Sequence, residues 1–272
     1  MKLTKLVMSG AALATIVGIG ALNADAATYK DATNAVTNGN ISFTDDGTNN
    51  IPDPENPDKP TNPVDPTDPD NPDKPGGNEN PGDLKLVVVP DFDFGSQKKS
   101  SGEVTANAKV VAAWDENKNK VYRAPWITTH DMRTERDTGW TVSVTSGQFT
   151  LTGAGNQNKV INGGEIVLTN ANYEGSSTTK PTIHSKAVGK DIATGLVLTP
   201  GTEVSIASSD SSGAQGIGDY SLALGTNGNG TYKADSVTDG VTFRMPAKTA
   251  VETGEYQAVL NWELKPILIP FG

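Results

Sequence analysis

Tyr256-Gln257-Ala258-Val259-Leu260-Asn261-Trp262-Glu263-Leu264-Lys265-Pro266 alternates with a period of two. Tyr256, Ala258, Leu260, Trp262 and Leu264 fall on one face, Gln257, Asn261 and Glu263 on the other, with Val259 alone out of pattern. That alternation is the signature of a half-buried β-strand. Trp140-Thr141-Val142-Ser143-Val144-Thr145 repeats it, with Trp140, Val142 and Val144 on one face against Thr141, Ser143 and Thr145. Two tryptophan-x-aliphatic strands, one mid-chain and one near the end, therefore frame the sequence.

Between and before them the text is strands and turns. Period-two or short apolar runs predict strands at Leu84–Val89, Val104–Trp114, Val121–Ile127, Trp140–Val144, Gln148–Thr152, Lys159–Ile161, Glu165–Thr169, Thr182–Ala187, Leu196–Thr199, Thr202–Ser208, Tyr220–Ala223, Val241–Arg244 and Glu255–Leu264. Turn clusters such as Asn162-Gly163-Gly164 separate them, and no window of helical length keeps a 3.6-residue period free of breakers. The expected fold class is all-β: a β-sandwich or barrel-like domain of many short antiparallel strands over residues 84–272.

Upstream, the residues change character. Lys2 and Lys5 precede an apolar run from Leu6 to Leu22, and Ala24-Asp25-Ala26 supplies a small-x-small cleavage pattern, so residues 1–26 read as a secretory signal peptide cut after Ala26. The run is interrupted by Gly10, Gly18 and Gly20 and falls short of the ~20 apolar residues that span a bilayer, so the mature chain is expected to have no membrane span. Within residues 27–50, Ile41-Ser42-Phe43-Thr44 reads as one strand, which either stands isolated or docks on the main domain; docking is favoured, since Ile41 and Phe43 need cover.

Residues 51–83 place Pro54, Pro57, Pro60, Pro63, Pro66, Pro69, Pro72 and Pro75 at every third position, the repeat of polyproline II. With Ile51 and Val64 its only aliphatic side chains, the segment is expected to be an extended, solvated linker or surface loop rather than part of a core. It also carries most of the charge. The chain's net −10 divides into −1 over residues 1–50, −7 here, from nine acidic residues against Lys59 and Lys74, and −2 over residues 84–272. No nucleic-acid partner is expected of such a chain.

Composition narrows the chemistry. There is no cysteine, which excludes disulfides, catalytic thiols and cysteine-ligated metals. His130 and His184 are the only histidines and lie too far apart for metal-ligand spacing, so neither a metal nor another cofactor is expected. A serine triad around His130-Asp131, or a carboxylate pair such as Asp91 and Asp93 in a wall-acting glycosidase, is the enzyme reading, but nothing marks a particular serine as nucleophile and solvated aspartates are common. Glycines at 225, 228 and 230 lack a following lysine and fit a turn better than a phosphate loop.

The ending Tyr256-x-x-x-Leu260-x-Trp262-x-Leu264-x-x-x-x-x-Pro270, with Asp131-x-Arg133, Gly139-Trp140-Thr141-Val142 and Asp91-Phe92-Asp93-Phe94-Gly95-Ser96, resembles the WxL family of Gram-positive surface proteins. The likeness covers nearly the whole chain after residue 26. It departs at Val142, where the family usually has Leu, and at Asn261, where it usually has Thr. The resemblance implies a secreted protein without catalysis, held non-covalently on the cell wall through peptidoglycan or another wall polymer, with other exported proteins or host extracellular matrix as the alternative partners. No L-P-x-T-G anchor pattern occurs, so retention is expected from the domain itself.

For binding, Trp140, Val142, Trp262, Leu264, Tyr256, Trp126, Asp131 and Arg133 are the candidate residues. Trp140 and Trp262 read either as core side chains or as indole faces left open to stack on sugar C–H edges. Trp126, beside Pro125, is expected to be more exposed. Asp131 and Arg133, two apart, are expected to form a bidentate pair that fixes the loop into Trp140.

Overall fold

A computed structural model describes residues 28–29, 31–36, 41–42 and 51–267, apart from positions 75, 135–137, 154, 157, 211–214 and 227–230. The signal-peptide reading lies outside the described residues. The chain divides into two compact units, Met1–Thr44 and Asp45–Gly272. In the first, Thr28–Tyr29 pairs with Ala35–Val36. Ile41 and Ser42, where a strand is expected, carry no ladder and Ile41 is 79% exposed; the remainder of that expected strand lies outside the described residues.

The second unit is nearly all β, built from small antiparallel sheets. Three of them have four strands each. The first orders Leu196–Leu198, Glu165–Leu168, Val237–Met245 and Val104–Lys109. The second orders Ala171–Asn172, Gly218–Leu224, Trp126–Asp131 and Leu84–Val88. In the third, Thr182–Ile183, Glu203–Ser208, Trp140–Ser146 and Leu260–Pro266 follow one another. Inward residues of all three meet in one core that includes Ile127, Trp140, Val142, Ile166, Leu168, Leu198, Ile206, Leu222 and Leu224. Burying a Leu, Ile or Val side chain of this kind contributes ~1.5–3 kcal/mol each before chain entropy is counted.

Several expected strands break where the chain changes sheet. Val104–Trp114 divides after Lys109, because Val111–Trp114 leaves to pair with Lys120–Arg123. The run Val121–Ile127 divides before Trp126, where Pro125 can donate no ladder bond and offers only its carbonyl, to Leu224 N–H at 2.8 Å. Thr182–Ala187 keeps only Thr182–Ile183 as strand and turns into a four-residue helix, Ser185–Val188, whose N-cap His184 accepts from Lys186 N–H. Val259 is out of pattern for the same kind of reason. Tyr256–Gln257 pairs with Thr150–Leu151, whereas Leu260–Pro266 pairs with Trp140–Ser146, and the change of partner falls between them.

The proline segment is the main correction. It is not an extended polyproline II linker. Asn56 and Lys59 N–H donate to Asp53 and Asn56 carbonyls, and Asp68, Asn71 and Lys74 N–H donate to Asp65, Asp68 and Asn71 carbonyls, at 3.0–3.3 Å. Each turn has Pro at its second position and Asp or Asn at its first, the residues a β-turn favours there. The leading side chain closes the turn too, as when Asp65 Oδ1 accepts from Thr67 N–H at 2.7 Å. A three-residue repeat with Asx before Pro thus makes successive turns, which polyproline II, lacking internal hydrogen bonds, does not.

The segment also contributes Ile51 to a second core. Ile51, Val87, Val88, Ala113 and Trp126 form a second buried cluster. Asn62–Pro63 adds a strand beside Val111–Trp114. Asp53, 3% exposed, takes a bidentate bond from Arg123, with Nε at 2.8 Å from Oδ1 and Nη2 at 2.6 Å from Oδ2. Lysines of the facing hairpin, Lys118 and Lys120, pair with Asp73 and Asp70. The acidity expected to keep this stretch solvated and apart is matched by cations on the sheet.

Candidate functional site

Both tryptophan motifs meet in the third sheet. Trp140–Ser146 and Leu260–Pro266 are antiparallel neighbours in a register that sets Val142 opposite Leu264, Val144 opposite Trp262 and Trp140 opposite Pro266. Their apolar residues share one face, yet the two strands are unequal. Trp140–Ser146 lies between two partners, whereas Leu260–Pro266 is an edge strand whose Leu260, Trp262 and Leu264 are only half-buried.

Trp140 is a core residue, with none of its surface exposed, and Val142 is 1% exposed. Ser209 Oγ accepts from Trp140 N–H and Ser209 N–H donates to the Trp140 carbonyl, both at 2.9 Å. Gly139, before it, has no room for a side chain, since a Cβ there would stand 2.2 Å from the Ser209 carbonyl oxygen. On the ring side, Gly216 at φ +73° comes so close that a Cβ would sit 3.0 Å from Trp140 Cζ2. The Gly-Trp pair of the motif is therefore a packing device.

Trp126 corrects the expectation of exposure. It is 1% exposed, covered by Ile51 and Ala113 from the proline segment and its partner hairpin. Asp131 and Arg133 form a bidentate pair, Nε to Oδ1 at 2.9 Å and Nη2 to Oδ2 at 2.8 Å. Arg133 Nη2 also donates to the Thr138 carbonyl at 3.1 Å, which ties the pair to the entry of the Trp140 strand. Tyr256 is half-buried, and its hydroxyl oxygen accepts from Glu252 N–H at 3.0 Å.

Trp262 has the most open indole-bearing strand, and its ring stands edge-on to Phe92, 6.4 Å between centroids. From there Phe94 and then Phe149 and Phe243 continue a row of aromatic contacts into the core. In Asp91-Phe92-Asp93-Phe94 the phenylalanines turn inward and the aspartates outward. Asp93 Oδ2 takes a 2.7 Å bond from Lys109 Nζ, and Asp93 Oδ1 a 2.7 Å bond from Gly95 N–H; the lysine first, then the amide, hold the carboxyl below its ordinary range.

On the polar face of the same sheet, Ser143 donates to Glu203 Oε1 at 2.5 Å and Lys265 bridges Glu203 and Glu263 at 2.9 and 2.7 Å. The Ser143 hydroxyl and then Lys265 lower the Glu203 carboxyl. On the second sheet His130 bonds through Nδ1 to Asp219 Oδ1 at 2.8 Å, with Lys85 in register on its other side, so its carboxylate partner is Asp219 and not the adjacent Asp131. Among the described residues no group of three or more His, Cys, Asp and Glu is placed to hold a metal.

The structure thus brings Val142, Leu264, Trp140, Trp262 and Tyr256 to one sheet and its margin, and sets Trp126 apart in the second core. Sequence reasoning missed the role of Phe92 and Phe94. Their alternation with aspartates is a strand-like signal, but only the fold places them beside Trp262. No curated protein and no solved structure matches the chain. The model of the WxL domain, described as surface cell wall-binding, matches residues 30–267. With the paired motifs in one sheet and the match running over most of the sequence, the chain belongs to the WxL family of surface cell wall-binding domains.

Proposed function

We propose that the protein is exported and non-enzymatic and is held non-covalently on the cell wall through peptidoglycan. The observation that carries this reading is the match over residues 30–267 to a cell wall-binding family. Charge is a poor source of the attraction. Residues 84–272 carry a net −2, and the acids of residues 51–83 are in part paired internally with Lys118, Lys120 and Arg123. Stacking on apolar sugar faces and neutral hydrogen bonds remain, and these are little screened by salt, whereas exposed ion pairs fade over a Debye length of ~8–10 Å at physiological ionic strength.

The test is co-sedimentation of the full chain with purified peptidoglycan at low and high salt. Retention at both is expected. Binding that vanishes at high salt, or that needs a second exported protein, would reject the reading in favour of an ionic or partner-mediated attachment.

A further inference from the structure

The Asp91–Ser96 segment ends beside an open groove that no candidate residue from the sequence lines. Phe94 forms an apolar wall, Val237 adds to it, and Gln97, Thr105, Asn107 and Lys109 supply the polar lining. Its volume of about 480 Å³ lies within the ~300–1,000 Å³ of ligand sites. Gly95, at φ +62°, turns the chain so that Ser96 and Gln97 stand over strand Val104–Lys109.

The lining selects a class of ligand. Lys109 is neutralised by Asp93 at 2.7 Å, so the groove has no uncompensated charge of its own. Asn107 Oδ1 accepts from the Thr242 hydroxyl at 2.9 Å, which leaves its Nδ2 donors without a partner among the described residues. Gln97 spends its Nε2 on the Phe94 carbonyl at 2.9 Å, which leaves its Oε1 as an acceptor. A donor amide and an acceptor amide on the two sides of one groove complement a group carrying both C=O and N–H. An acetamido substituent is such a group, and a phenylalanine ring offers the apolar surface that sugar C–H edges prefer.

We infer that this groove, rather than the two tryptophan strands, holds an uncharged strand of N-acetylated sugars. The inference rests on the wall-binding reading and gives it a location. Trp140 has no exposed surface to offer, and Trp262 contributes through Phe92, by holding the segment that forms one wall of the groove.

Two variants of the full chain probe it: Gln97→Ala with Asn107→Ala, which removes the amides, and Thr105→Trp, which fills the groove from an exposed position. The probes are peptidoglycan stripped of its anionic polymers and a soluble oligomer of N-acetylglucosamine followed by amide NMR shifts. Thr105→Trp should keep the parental melting temperature, and the double alanine variant should stay folded with a small drop from the Thr242 hydroxyl it leaves unpaired. Both should lose about tenfold in binding, the scale of one or two lost hydrogen bonds. Shifts caused by the oligomer should centre on Phe94, Gln97 and Asn107. If the parent sediments with stripped wall and both variants do so equally well, the groove is not the site although wall binding stands. Binding that disappears when the anionic polymer is stripped would also overturn the groove. A parent that binds neither preparation would remove the wall-binding reading itself.

Discussion

Val142 and Leu264 stand directly opposite each other across the antiparallel pair of Trp140–Ser146 and Leu260–Pro266. Val142 is 1% exposed and Leu264 half-buried, so their shared volume is bounded on the inner side and open toward the edge. Replacing Val142 by Leu should cost ~1–3 kcal/mol by overpacking. Combining it with Leu264→Val should recover part of that loss, with a coupling energy of ~0.5–3 kcal/mol in a double-mutant cycle by urea unfolding. Strict additivity would mean that the two side chains do not share space.

The two motif tryptophans should behave differently. Trp140→Ala removes a fully buried ring and should cost ~3–5 kcal/mol, enough to unfold much of a marginal domain. Trp262→Ala, at a half-buried edge position, should cost less and leave a folded protein. Denaturant midpoints of the two variants check this, and equal losses would contradict their unequal burial.

Gly139→Ala should destabilise although it adds one methyl, because the new Cβ would need to displace the Ser209 carbonyl from 2.2 Å. A loss of at least about 1–3 kcal/mol is expected. Gly102→Ala, whose new Cβ would meet only the Ser100 hydroxyl at 3.4 Å, serves as the control and should be close to neutral on the same thermal melt.

Breaking the Asp53–Arg123 pair should open the second core. Asp53→Ala leaves a mostly buried guanidinium without its bidentate partner, which for buried pairs costs ~3–5 kcal/mol. Trp126 lies in that cluster, so its fluorescence should report water entry earlier in a urea titration than the signal of the whole domain. Coincident curves would mean that both cores melt as one.

Asp93 gives a pH dependence. Lys109, and secondarily Gly95 N–H, hold its carboxyl below the ordinary 3.8, so it favours the folded turn above that value and loses the contribution as pH falls through the lowered one. The pair is exposed, so the effect on global stability should stay under ~1 kcal/mol. An NMR titration of the Asp93 carboxyl should find its midpoint below 3.8, and Lys109→Ala should move that midpoint up.

Period two was a sound guide to most of the sheet, because inward and outward residues of Trp140–Ser146 and Leu260–Pro266 keep the alternation that the letters display. It could not say that the two strands are neighbours, since register over so long a separation is set by the whole core. Trp126 misled because Pro125 looks like loop locally, while its cover comes from Ile51, remote in sequence. The Asx-Pro triplets misled differently. Their spacing fits both polyproline II and a run of turns, and the segment's internal hydrogen bonds, with cations of the facing hairpin against its acids, show it to be the latter. The groove beside Phe94 draws on residues 94–97, 105–109 and 237, and no local pattern joins these.

Pairing of Trp140–Ser146 with Leu260–Pro266 also fixes when the domain can close. The partners lie about 120 residues apart, and loops of that kind form late and slowly. A chain growing from its N-terminus carries a complete Trp140 strand with one side unpaired until Leu260–Pro266 has appeared. Termination anywhere before Leu260 would leave that side bare, so a closed Trp140 edge reports that everything from Trp140 through Pro266 has been made.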